Sequence, residues 1–145
     1  MPDWSPEAHA FLERHRVARL ATAGADGAPH VIPVCFALDT DALYFVADEK
    51  PKRRPARELK RLANLRENPR AALVVDDYAE DWRRLAWLMV RGPASIVTDP
   101  IMHARALELL RLRYPQYLAM SLDDPARNPV VRLEPARVTM WQAES

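Results

Sequence analysis

Residues 17 to 47 read VARLATAGADGAPHVIPVCFALDTDALYFVA, and this stretch decides the fold. Its β-branched residues favour a strand from Val17 to Thr22. Asp26-Gly27 is a strong hairpin signal. A second strand follows from His30 to Leu38, and "DTDA" turns the chain into a third at residues 43 to 47. Three short strands joined by two tight turns predict an antiparallel meander. Pro33 removes one backbone donor from the second strand, so that strand lies at an edge, is bulged, or is open to a ligand.

Outward from the meander, Ser5-Pro6 is an N-cap and first-turn pair, opening a helix that ends near His15. Glu58 to Arg66 reads as a short helix with Leu59, Leu62 and Leu65 on one face, stopped by Pro69. Residues 71 to 76 are nearly all apolar, which predicts a strand buried on both faces. Leu85 to Val97 reads as a long strand with a bulge or sharp bend at Gly92-Pro93. Asp99-Pro100 caps a helix over 101 to 113 whose Leu107, Leu110 and Tyr114 share a face. Val130 to Trp141 is a last strand pair, or one strand kinked at Pro135. Six or seven short antiparallel strands with three peripheral helices predict a small α+β barrel, mainly β, in one domain over 1–145.

The bulk numbers narrow the function classes. The chain has 145 residues, 49% hydrophobic and 28% charged, and a formal net charge of +1. That balance gives no reason to expect a nucleic-acid or membrane partner, so the expected partner is a small molecule. The single cysteine, Cys35, cannot form an intrachain disulfide, and its apolar surroundings read as a buried inert thiol. The N-terminus lacks the basic start and apolar core of a signal peptide, and no apolar run approaches the ~20 residues that span a bilayer. A cytoplasmic protein is expected. The four histidines lack ligand-like spacing, so no metal site is expected. With three glycines in the chain, neither a P-loop nor a Rossmann fingerprint can be built. An enzyme with so little reactive chemistry of its own needs a cofactor.

One feature is out of keeping with that quiet composition. "RELKRLANLREN", residues 57 to 68, packs cations onto the short helix that delivers the chain into a buried strand. Arg57 stands one turn before Arg61, with Lys60 alongside, so two or three cations can face one anion. A solvated helix face is the ordinary alternative.

Three segments together carry a family likeness: "RVARLATAGADGAPHVIPVCFALDTDALYFVA", "LKRLANLRENPRAALVVDDY" and "WLMVRGPASIV". The order is a strand reading L-A-T, a D-G-x-P turn, a strand with P-V-x-F, then L-Y-F, a basic residue before N-P-R, and V-R-G-x-A. No one motif decides, but order and spacing resemble the pyridoxamine-phosphate-oxidase-like oxidoreductases. These have an antiparallel split β-barrel of the FMN-binding type. Within them the chain is similar to the small deazaflavin (coenzyme F-420) dependent proteins of actinobacteria. The likeness covers residues 10 to 98 well and the remainder by element order.

The resemblance implies a homodimer with cofactor sites at the interface. It implies that Arg61, where the group often has lysine, holds the cofactor phosphate with Lys60 and Arg57. Pro33 and Val34 lie where such proteins lay backbone against the ring, and Thr22 is a candidate hydroxyl donor. The loop "DEKPKRRPAR" is longer than the family's. Its Lys50, Lys52, Arg53 and Arg54 are candidates to reach a phosphate or an oligoglutamate tail, which favours F-420 over FMN. Tyr78 is the candidate substrate-side aromatic, while Trp82, Trp87 and Trp141 read as dimer or core packing. The expected activity is deazaflavin-dependent hydride transfer to a small organic substrate. The alternatives are a cofactor- or tetrapyrrole-binding carrier, and FMN chemistry on a pyridoxal-type substrate.

Overall fold

Ser5 caps the first helix as expected: its hydroxyl accepts from Ala8 N at 3.1 Å, and Pro6 begins α1, Pro6–Glu13. The computed structural model describes residues 4–47 and 59–144. After α1 comes the meander: β1 (Ala18–Ala23), β2 (Pro29–Val34), β3 (Ala37–Leu38) and β4 (Leu43–Val46). The β1–β2 turn closes with Gly27 N donating to Gly24 O at 3.0 Å. Gly27 adopts φ 76°, a conformation that costs glycine nothing.

The strand expected over 30–38 is two strands. Between them the Tyr114 hydroxyl accepts from Phe36 N at 3.0 Å and lies 2.9 Å from Phe36 O. Those backbone groups are thereby taken out of any ladder, and the chain crosses from one half of the sheet to the other. This is the split of the barrel, and a tyrosine 78 residues further on makes it.

The rest follows as α2 (Lys60–Glu67), β5 (Arg70–Asp77), β6 (Ala86–Ile96), α3 (Pro100–Arg113), β7 (Val130–Leu133) and β8 (Arg137–Gln142). A short 3-10 turn at Trp82–Arg84 joins β5 to β6. All pairings are antiparallel, in the order β2-β1-β5-β6-β7-β4-β3, with β8 also on β6. The sheet is the curled antiparallel split barrel of an α+β fold. Strand β6 serves both halves: Ala86 to Arg91 pair with β8, and Ala94 to Ile96 pair with β7. β7 and β8 thus lie end to end along β6, and the kink at buried Pro135 joins them.

Two apolar clusters fill the molecule. One lies inside the barrel around Leu20, Phe36, Phe45, Leu73 and Leu88, and Leu62 and Leu65 dock α2 onto it. The other lies under α3, where Leu107, Leu110 and Tyr114 meet Tyr44 and Val130. The leucine faces of both helices match the sequence pattern.

Strand β5 corrects an expectation. It is not buried on both faces: Ala71, Leu73 and Val75 face the core, while Ala72 and Val74 are half-buried on the outside. No element among the described residues covers that outer face. Of the two readings of the tryptophans, dimer contact or core packing, the core one is corrected with it. Trp87 and Trp141 stand opposite each other on the outer face, Trp141 being 44% exposed, and Trp82 is exposed on its turn. None belongs to the core.

Asp77, at the end of β5, ties α1 to the sheet. Its carboxylate lies 2.7 Å from His15 Nε2 and 3.2 Å from Arg14. Burial works to raise the Asp77 pKa, but the hydrogen bonds from His15 and Arg14, with their charges, outweigh it and hold it below the usual 3.8. A depressed folded pKa stabilises in full above the unfolded value and is lost as pH falls through the folded one. Melting temperatures of wild type and Asp77→Asn should therefore differ most above pH 3.8 and converge below it. A gap that persists unchanged to pH 2 contradicts the assignment.

Candidate functional site

Helix α2 closes one end of the barrel over the β1–β2 hairpin. Asn64, fully buried, donates from Nδ2 to the Thr22 hydroxyl at 3.1 Å. Thr22 pairs directly with His30 across β1 and β2, so their side chains share a face. Asn64 Oδ1 and His30 Nδ1 are both buried and make no hydrogen bond within the protein. Such groups cost about 1–3 kcal/mol each when left unpaired. Arg61 is half-buried in the first turn of α2, three residues before Asn64, and so on the same helix face. Lys60 beside it is exposed.

The structure sorts the remaining candidate residues. Arg57, Lys50, Lys52, Arg53 and Arg54 lie outside the described residues. Pro33 is exposed on the outer face opposite Arg19, and Val34 is buried opposite Ala18. These pairs lie three and four positions along β1 from Thr22, about 10–13 Å at 3.3 Å per residue. Tyr78 is 67% exposed just beyond β5. The Thr22 row meets β5 near Ala71, so Tyr78 lies about 23 Å along the strand from it. One chain therefore gathers Thr22, Asn64 and Arg61, holds Pro33 and Val34 a short way off, and leaves Tyr78 at the opposite end.

His30 and Asn64 are additions to the sequence reading. Their signal was present, a polar residue inside each of two otherwise apolar patterns, but only the register shows that they meet. A second addition lies on the outer face: an open groove of about 510 Å³ whose lining includes Arg70, Arg91 and Arg137. Among the described residues, no group of three or more His, Cys, Asp or Glu side chains is placed to hold a metal ion. Nor is any helix long and apolar enough to cross a membrane.

The split barrel with α2 over its open end finds its counterpart in a family model, that of pyridoxamine 5'-phosphate oxidase, which matches residues 5–142. The chain belongs to the pyridoxamine 5'-phosphate oxidase family. Solved structures agree in fold. The conserved hypothetical protein Rv2991 of Mycobacterium tuberculosis superposes with a TM-score of 0.76 at 23% identity, over 96% of this chain and 85% of that one. HutZ, the haem storage protein of Vibrio cholerae, gives 0.74 at 18% identity, over 98% and 95%. A protein described as an F420 reductase gives 0.67 at 29% identity, over 90% and 94%. No curated protein matches the sequence. Solved structures of this fold thus bear names for F420, FAD and haem partners alike.

Proposed function

We propose that this member of the pyridoxamine 5'-phosphate oxidase family is a deazaflavin (F-420) dependent oxidoreductase acting on a small organic substrate. The observation that carries the reading is the α2 face: Arg61 above a buried Thr22–His30–Asn64 cluster with two polar atoms still to be satisfied. The likeness to an F420 reductase over 90% of this chain supports deazaflavin over FMN.

The residues fit the group. Arg61 would hold the phosphate, its planar fork gripping two oxygens where a lysine offers a point charge. Thr22, His30 and Asn64 would take polar groups nearby. When bound, the deazaflavin supplies a two-electron carrier able to pass a hydride to an electron-poor substrate. The chain itself supplies position and dryness: the barrel end is closed by Leu62 and Leu65, which keep water off the inner side. The outer face of β1, β2, β5, β6 and β8 is open and mixed in character: Val31 is 61% exposed on β2, Met89, Trp87 and Trp141 stand on β6 and β8, and arginines lie between them. A second copy of the chain is the proposed cover, making a homodimer. Tyr78 would then serve a site completed by that second copy, since its own Thr22 row is out of reach.

Arg61→Ala is the test. Deazaflavin binding, followed by fluorescence titration, should weaken at least tenfold, while the melting temperature moves little. Parallel titrations with FMN and haem discriminate the other readings. No deazaflavin binding above background in the wild type would sink the proposal, and tight haem binding without turnover would favour a carrier.

A further inference from the structure

Register places two arginines where a sheet does not ordinarily tolerate them. One row of residues runs across five strands of the outer face: Val31, Ala21, Ala72, Arg91 and Arg137. Arg91 and Arg137 end that row directly opposite one another on β6 and β8. Side chains so placed start about 4.5–5.5 Å apart at Cβ, and like charges there repel. Arg70 joins them from β5, two residues along from Ala72 and on its face. Its guanidinium is held toward the groove by Asn68, whose Oδ1 accepts from Arg70 Nε at 3.3 Å.

Several other arginines of this protein, Arg14, Arg83 and Arg113 among them, have carboxylate partners. Arg19, two residues from Ala21 on the same face, has Asp76 at 3.5 Å. Arg111 has Asp123 at 3.1 Å and Arg132 has Asp41 at 3.4 Å. Among the described residues no carboxylate lies within 4.0 Å of Arg70, Arg91 or Arg137. Three uncompensated cations therefore converge on one groove of about 510 Å³. Its floor includes the small residues Ala21 and Ala72, which leave room above the sheet.

We propose that this groove is an anion site: Arg70, Arg91 and Arg137 clamp the multiply charged end of a small molecule, a phosphate ester or a clustered carboxylate. Guanidinium forks match both geometries bidentately. The apolar floor takes the uncharged body of the same molecule. The site is separate from the α2 clamp. Arg61 is not part of the groove's lining, and it stands seven residues before Asn68, about 10 Å along the helix. It does not need the deazaflavin reading, and it shares its sheet face with the surface proposed above for the second copy.

Calorimetric titration of the cofactor-free protein with pyrophosphate and with tricarballylate, at constant ionic strength, tests the site. Saturable binding of at least one probe is expected, and the tighter one identifies the source as phosphate or carboxylate. In the double variant Arg91→Gln/Arg137→Gln that affinity should drop at least tenfold. The ligand-free double variant should melt no lower than wild type, because a repelling pair has been removed. Arg61→Ala, which disables only the α2 clamp, should retain the binding that the double variant loses. Equal affinity in the double variant overturns the proposal, as does loss of binding in Arg61→Ala instead. Sedimentation supplies the last outcome: a double variant that turns monomeric where the wild type is dimeric would show that a second copy neutralises the arginines, and would also overturn it.

Discussion

Gly92→Ala is expected to cost about 3 kcal/mol, at the top of the usual range for overpacking. Gly92 sits in β6 at the point where that strand changes partners from β8 to β7. The kinked connection between them passes directly over it. A methyl group on Gly92 would fall inside the van der Waals shell of the Glu134 carbonyl oxygen and 3.0 Å from Ala136 N. Both are backbone atoms, so no rotamer change makes room. Glu134 N also donates to Pro93 O at 2.9 Å and Ala136 N to Glu134 O at 2.8 Å, which fix the connection in place. Relief means moving β7 or β8 away from β6 and breaking ladder bonds. Urea denaturation should show the midpoint falling without a change in slope. A variant within about 0.5 kcal/mol of wild type, the usual range for a neutral surface change, would mean the connection is not held against the strand.

Tyr114→Phe should be nearly as damaging, at about 2 kcal/mol. The Tyr114 ring is 6% exposed, and its hydroxyl meets Phe36 N, Phe36 O, Arg16 O and Arg113 Nε within 3.1 Å. Removing it leaves Phe36 N–H buried without a partner, a loss of about 1–3 kcal/mol. It also releases the chain at the crossing between β2 and β3, so amide exchange at Phe36 and Ala37 should accelerate more than in the centre of β5. If Phe36 stays protected in the variant, the crossing is held by packing and the tyrosine's role is smaller than argued.

The meander was legible because its turn chemistry and its apolar runs agree: Asp26-Gly27 and "DTDA" sit between strands that the structure retains. The two leucine faces were legible for the same reason, periodicity that matches burial. The break at Phe36 was not, because its cause is a hydroxyl far along the chain, which no local pattern reports. The outer face of β5 misled for a related reason: an apolar run says that a strand wants covering on both sides, not that the same chain does the covering. At the site, Arg61 and Thr22 could be named from likeness, while His30 and Asn64 needed register to be brought together. The Arg91–Arg137 pair is purely a register effect, since 46 positions separate the two in sequence.

Strand β2 ends the sheet, and its free edge would ordinarily invite another chain to add a strand. Pro29 and Pro33 stand four apart on it, so the N–H groups they lack belong to one row. Prolines within a paired strand sit with the missing donor turned toward solvent. An incoming strand would find that row interrupted twice within six residues. Growth by edge-to-edge stacking is thereby blunted, and the homodimer proposed above would close through the broad face instead.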